Sequence, residues 1–356
     1  METTSIQAPR GARLFHLTLA ALAFASLALG CAPRPAAEVS GFEQVLGTAC
    51  NLRLAKGGSE KLLKAGFERL HALENEISVN VDGSEIEAVN AAAGQHPVKV
   101  GQDSMAILSR DLEYSRLSDG AFDPSVGPLV QLWGIGGIRA KGSESELPPP
   151  PQIAAALAKV GWKDVVLNKE AGTAFLRRPG MALDLGSGSK GYAADLLVDL
   201  FRKGGVTSAL IDLGGNIYVM GSKPDGKPWR VGLQNPDATR GTYVGVASLV
   251  DKTMVTSGVY ERYFFHNGKR YHHILDTRTG YPVDNGLTSV TIITDRSFDA
   301  DGLTTTLFAM GRQKGMELAK QRGVDVIMID DQRKVYLSPG VSKYFELTDS
   351  SYTYAE

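Results

Sequence analysis

Only two cysteines, Cys31 and Cys50, occur in 356 residues, so a fold stapled by several disulfides is excluded. Charge of one sign is equally scarce. The 38 Lys and Arg against 39 Asp and Glu leave a net charge of -1. With no run of five like charges, neither a nucleic-acid footprint nor an acidic tail is indicated. No internal repeat is visible, which removes solenoids and propellers. What remains, at 43% apolar and 22% charged residues, is a globular composition with enough chain for one large domain or two modest ones.

The N-terminus departs from that average. Arg10 and Arg13 precede an apolar stretch, 14–29, that closes on Leu27-Ala28-Leu29-Gly30-Cys31. It has the layout of a secretory signal and is too short for a comfortable membrane span, while the small residues before Cys31 resemble the bacterial lipobox. Residues 1–30 are therefore expected to be a lipoprotein signal peptide, Cys31 the lipidated membrane anchor, 31–41 a Pro/Ala-rich tether and 42–350 a single domain. An ordinary signal peptide cut nearby is the alternative. The implied location is extracytoplasmic, on the periplasmic side in a Gram-negative cell. A lipidated Cys31 leaves Cys50 unpaired, and its apolar neighbours in Val45 to Leu52 point to a buried structural thiol.

Along the mature chain, apolar periodicity predicts a first strand around Phe42 to Leu54 and a helix over Glu60 to Ile77. A second helix follows over Asp103 to Leu117, with Asp103 or Ser104 as its cap. Arg139 to Pro151, rich in Ser, Glu and Pro, reads as an exposed excursion. The second half offers short β-rich runs at Ser208 to Leu213, Asn216 to Met220, Trp229 to Leu233, Thr242 to Val250, Arg262 to His266 and Tyr271 to Leu275. Asn267-Gly268 suits a tight hairpin turn. A strand at Leu287 to Thr294, a helix over Asp301 to Arg322 and a closing hairpin complete an α+β pattern of mainly antiparallel strands with packed helices.

Three constellations carry chemistry. Met181 to Tyr192 runs into a Gly-rich turn ahead of a helix, where backbone N–H groups favour a phosphate. Gly186, Gly188 and Gly191, with Asp212 further on, also spell a dinucleotide fingerprint; a glycine-rich helix start with no ligand remains open. Asp301 and Thr305 share a helix face and are hard oxygen donors of the kind Mg²⁺ takes, although Asp299 or Asp301 as a simple helix cap explains the same pattern. His272 and His273 point to opposite sides of a strand and so do not converge on one metal. One of them, or Arg278, could face a phosphate; a solvated turn is the alternative.

Together these segments resemble the FAD:protein FMN transferase family, known as ApbE. The resemblance is carried by Gly127-Pro128-Leu129-Val130 with Trp133-Gly134, Asp184-Leu185-Gly186 with Lys190-Gly191-Tyr192-Ala193-Ala194-Asp195, Thr256-Ser257-Gly258 with Tyr260 to Phe264, His272 to Pro282, and Ala300-Asp301 with Thr305. It implies an ApbE-like α+β fold and a Mg²⁺ ion held by Asp301, Thr305 and the Ser187 carbonyl, with Thr304 nearby. It also implies FAD as substrate, contacted by Asp184 and Lys190 and lined by Leu46, Asn80, Ala121, Phe122, Asp123 and Leu275. The implied reaction is attack by a Thr or Ser hydroxyl of an acceptor flavoprotein, such as a subunit of an ion-translocating redox complex, on the FMN phosphorus, with release of AMP. Asp301 and Lys190 would carry the catalysis. Thr277 stands where the family has Pro, Gly188 and Ser189 vary the residues before the lysine, and Asn80 stands where an aromatic ring is usual. A Mg²⁺-dependent FAD pyrophosphatase, a flavin-binding lipoprotein and a dehydrogenase built on Gly186 to Gly191 are the competing readings.

Overall fold

The centre of the molecule is a nine-stranded sheet. In spatial order its strands are Val39–Val45, Thr48–Lys56, Ser208–Leu213, Asn216–Met220, Lys252–Gly258, Leu287–Thr294, Asp325–Asp330, Lys334–Leu337 and Thr353–Tyr354. All neighbours are antiparallel except the final pair. The computed structural model describes residues 1–2, 38–135 and 137–355, and Glu38–Glu356 form one unit. Cys31, the signal segment and most of the tether lie outside the described residues. The sheet itself begins at Val39, inside the span expected to be tether.

The pleat of the sheet sorts its residues between two cores. Val255, Ile292, Val326 and Met328 face one core, and Met254, Ile293, Ile327 and Ile329 the other. The first face is covered by helices: α1 (Glu60–Ile77), α2 (Glu85–Ala91), α3 (Gln102–Leu117), α6 (Ser189–Lys203), α7 (Ser297–Met310) and α8 (Arg312–Arg322) contribute to its cores, while α4 (Gly127–Trp133) and α5 (Pro150–Leu157) form a separate apolar cluster with Phe264 and Leu275. Against the second face packs a three-stranded sheet of Trp229–Gln234, Tyr243–Leu249 and Phe345–Leu347. Because both faces are covered, Leu287–Thr294 is buried almost throughout. The α+β reading holds.

Four local expectations change. The first strand is a hairpin, turned by Leu46 and Gly47 at φ 56° and 65°, the positive-φ pair a tight hairpin needs. The long C-terminal helix starts earlier, at Ser297, and is broken at Gly311, whose φ of 80° no helix admits; Asn285 Nδ2 caps the freed Phe308 carbonyl. α3 has Gly101 as its cap residue, because Asp103 is engaged by Arg69 and Tyr192. The 139–151 excursion is tied down: Arg139 reaches the carbonyls of Leu132, Trp133 and Glu146, and Pro150 and Pro151 open α5, where the missing N–H costs nothing. Cys50 is buried and free. Burial pushes its thiol up to about 12.

Candidate functional site

The site grows from two helix starts that lack caps of their own. α6 begins after Gly188 and α7 after Arg296, and neither residue caps with its side chain. Each helix is capped by the other. Asp301 Oδ2 accepts the Gly191 N–H of α6 at 2.8 Å. Asp195, on α6, accepts the N–H groups of Ser297 and Phe298 at 2.9 and 3.2 Å. The helices can cross this closely only because position 191 is glycine: a Cβ there would stand 2.4 Å from the Ser297 carbonyl oxygen. Ser297 Oγ continues the polar seam into the sheet, donating to Asn216 Oδ1 and accepting from Thr253 Oγ1.

This interlock changes what the loop before α6 can offer. Gly191 is the third residue of α6, so its N–H is one of the helix-start donors with no acceptor inside the helix. Asp301 supplies that acceptor, while the Ser187 carbonyl, just outside the helix, accepts no hydrogen bond among the described residues. One turn beyond Asp301, the Thr305 hydroxyl shares Ser257 Oγ at 3.1 Å. Carboxylate, hydroxyl and carbonyl are hard donors of the kind Mg²⁺ binds while keeping sites for water and phosphate. Among the described residues no three His, Cys, Asp or Glu side chains form a cage, so such an ion would rely on these mixed oxygens. Asp301 is 5% exposed. Burial raises its pKa, against the pull of the Lys190 ammonium and the α6 amides. Lys190 Nζ lies 3.9 Å from Asp301 Oδ2 and donates to the Gly186 carbonyl at 2.7 Å, while Asp184 accepts the Gly186 N–H at 2.9 Å.

A path of contacts joins nearly all the expected site residues. The Asp184 N–H donates to the Pro124 carbonyl at 2.8 Å, linking the two loops. Thr277, where the family usually has Pro, donates its hydroxyl to the Gly120 carbonyl at 2.5 Å, so a hydrogen bond holds the turn against Ala121. Arg262 bridges the Leu46–Gly47 turn and the His273 backbone that leads to Leu275. Several side chains are nevertheless spent elsewhere. The Phe122 ring packs edge-on to Tyr114 in the core. Asp123 accepts three hydrogen bonds, from Ser125 N–H, Ser125 Oγ and Trp162 N–H. The Thr304 hydroxyl is held by the Asp301 carbonyl and Ser257. Leu275 is buried beside Trp133 and Phe264. Asn80 is exposed between α1 and α2, its N–H held by Ser78 Oγ, and among the described residues no hydrogen bond ties it to the others.

The strand Lys269–His272 ends at the first histidine, and His273 follows in a bend with its Nδ1 3.2 Å from the Arg262 carbonyl. His272 is buried, its Nε2 donates to the Val283 carbonyl and its Nδ1 accepts from Ile274; burial lowers it to about 4, which keeps it neutral. Asp212 closes its own turn on Gly215, and the strand carrying it runs antiparallel to both neighbours. The dinucleotide reading fails, because that site needs a parallel βαβ unit.

Sequence reasoning missed Ser257 as the link between the threonines, Asp195 as the α7 cap, and Asp111. The last was findable: with Ser104, Ile107, Leu108 and Ser115 it lies on the buried stripe of α3, where an acid is rare.

Residues 46–328 match the model of the ApbE family. The chain belongs to that family. It is 39% identical over 294 residues to a FAD:protein FMN transferase of Klebsiella pneumoniae, covering 82% of this chain and 90% of that one. It is 36% identical over 333 residues to the Treponema pallidum protein of the same name, covering 88% and 91%. Among solved structures, ApbE of Thermotoga maritima superposes with a TM-score of 0.79 at 27% identity, and the flavin transferase ApbE of Vibrio cholerae with 0.77 at 27%. Each covers 86% of this chain and 99% of its own. The family match takes in both site helices, Ser189–Lys203 and Ser297–Met310.

Proposed function

We propose that this chain is a FAD:protein FMN transferase that uses a divalent cation, Mg²⁺ above all. The observation that supports this reading is the Asp301–Gly191 interlock, which brings a buried carboxylate to the start of α6 in an ApbE fold, one helical turn from the Thr305 hydroxyl and next in sequence to the loop that carries Ser187. Bound there, the cation would neutralise charge developing on the phosphates, the main need of phosphoryl transfer.

The chain's own groups do the rest. The α6 start and the Lys190 ammonium attract the pyrophosphate of FAD. Lys190 is held ready by the Gly186 carbonyl and would exchange that partner for a phosphate oxygen. Leu46, Ala121 and Leu275, with the backbone of Phe122 and Asp123, would line the flavin and nucleotide pocket beside Asp184. The acceptor's Thr or Ser oxygen bonds to the FMN phosphorus, the bond to the AMP oxygen breaks, and the hydroxyl proton is lost. AMP leaves with the bonding electron pair. The acceptor we favour is an extracytoplasmic flavoprotein, such as a subunit of an ion-translocating redox complex, met by an enzyme anchored through a lipid on Cys31.

The test is incubation with FAD and Mg²⁺, with and without a candidate acceptor. AMP together with a covalently fluorescent acceptor supports transfer. Free FMN and AMP with an unlabelled acceptor means a pyrophosphatase. The exposed amide of Asn80 keeps that second reading open, since it offers no ring to stack on the cofactor and exclude water.

A further inference from the structure

Among the described residues, Asp111 is a buried acid with both carboxylate oxygens unpartnered. It is 1% exposed. A buried carboxylate is tolerated only when something compensates it. Its neighbour Arg110 does not, being committed to Asp299 at 2.6 Å.

The placement of Asp111 says what is missing. A Cβ on Gly188 would stand 2.7 Å from Asp111 Oδ1, and one on Gly302 3.6 Å from it. Gly188 directly follows Ser187, and Gly302 directly follows Asp301. The carboxylate is therefore wedged behind the two chain segments that supply the proposed cation donors, in space that two absent side chains leave open. Any side chain at Gly188 would displace it.

Charge gives the same answer. Asp301 already pairs with Lys190 at 3.9 Å, so these two nearly cancel, and Thr305 and a carbonyl add no net charge. A divalent cation would then be almost uncompensated until substrate phosphates arrive. Burial first, then the nearby Asp301 and Asp184, hold Asp111 well above the usual carboxylate range.

We infer that Asp111 is a further acidic group of the proposed cation site, the counter-charge that lets a divalent cation bind before FAD. The inference rests on the cation reading of Asp301, Thr305 and Ser187. A cation held by those donors would give the unpartnered Asp111 carboxylate the opposite charge it lacks.

The test is calorimetric titration of the full-length protein with Mn²⁺ alone, in the unaltered form, Asp111→Asn and Asp111→Ser, then repeated with FAD present. Two variants are used so that misfolding of one, seen by circular dichroism, does not end the experiment. The expected result is Mn²⁺ binding without FAD that weakens by about tenfold or more in both variants, the size of effect a nearby opposite charge supplies. With FAD present the loss shrinks, because phosphates replace the missing charge. Folded variants that bind Mn²⁺ within about twofold of the unaltered protein overturn the inference while leaving the cation reading intact. An unaltered protein that binds Mn²⁺ only when FAD is present also overturns it. Absence of Mn²⁺ binding under both conditions overturns the cation reading itself.

Discussion

Helices α1 and α2 start from their own serines, whereas α6 and α7 start from each other. Ser59 Oγ accepts the Leu62 N–H of α1, and Ser84 Oγ accepts the Glu87 N–H of α2. A self-capped helix can form and shift without regard to its neighbours. The cross-capped pair cannot: Asp301 and Asp195 hold two helices in one register, and a Gly191 without Cβ lets them touch. What the comparison teaches is that the fold places its buried acids where they act across elements, and that this mutual dependence fixes the oxygens of the proposed site.

The comparison breaks most visibly at Asp301. Asp301→Ala removes the proposed cation's carboxylate and leaves the buried Gly191 N–H without a partner. FAD turnover with Mg²⁺ is expected to fall by on the order of a thousandfold. Stability in urea should fall by about 1 to 3 kcal/mol as well, because a buried backbone donor loses its acceptor. Gly191→Ala tests the contact rather than the charge. Its methyl group would press on the Ser297 carbonyl and push the helices apart, costing about 1 to 3 kcal/mol, and Mn²⁺ affinity should decline with it although no donor has been removed. Asp195→Ala uncaps α7 alone. A loss of about 2 kcal/mol is expected, with a smaller drop in turnover than at Asp301. Ser59→Ala, the self-capped control, should cost about 1 kcal/mol and leave turnover unchanged at temperatures where the protein stays folded. If Ser59→Ala lowers turnover as much as Asp195→Ala does, cross-capping has no special tie to the site.

The same contrast explains what could be read from the sequence. Glu60–Ile77 and Leu287–Thr294 were legible to the residue because their apolar periods are local and unbroken. Asp184, Lys190, Asp301 and Thr305 could be singled out together because their types and order match a family, and the structure brings Lys190 to 3.9 Å from Asp301. The interlock was not, since Asp301 and Gly191 are 110 positions apart and no local rule pairs a helix with a distant cap. The Leu46 turn was hidden because leucine seldom takes a positive φ, so the hairpin looked like one strand. The break at Gly311 was hidden because α7 and α8 together look like one helical stretch.

The central claim is that Asp301 does two separable things, capping α6 and supplying negative charge. Asp301→Asn separates them, since an amide oxygen can still accept the Gly191 N–H but carries no charge. AMP release from FAD at saturating Mg²⁺, measured beside the urea midpoint, decides it. The account predicts a midpoint within about 1 kcal/mol of the unaltered protein and AMP release lowered by on the order of a thousandfold. AMP release within about tenfold, under about 1.4 kcal/mol of barrier, would contradict it and leave Asp301 a helix cap alone.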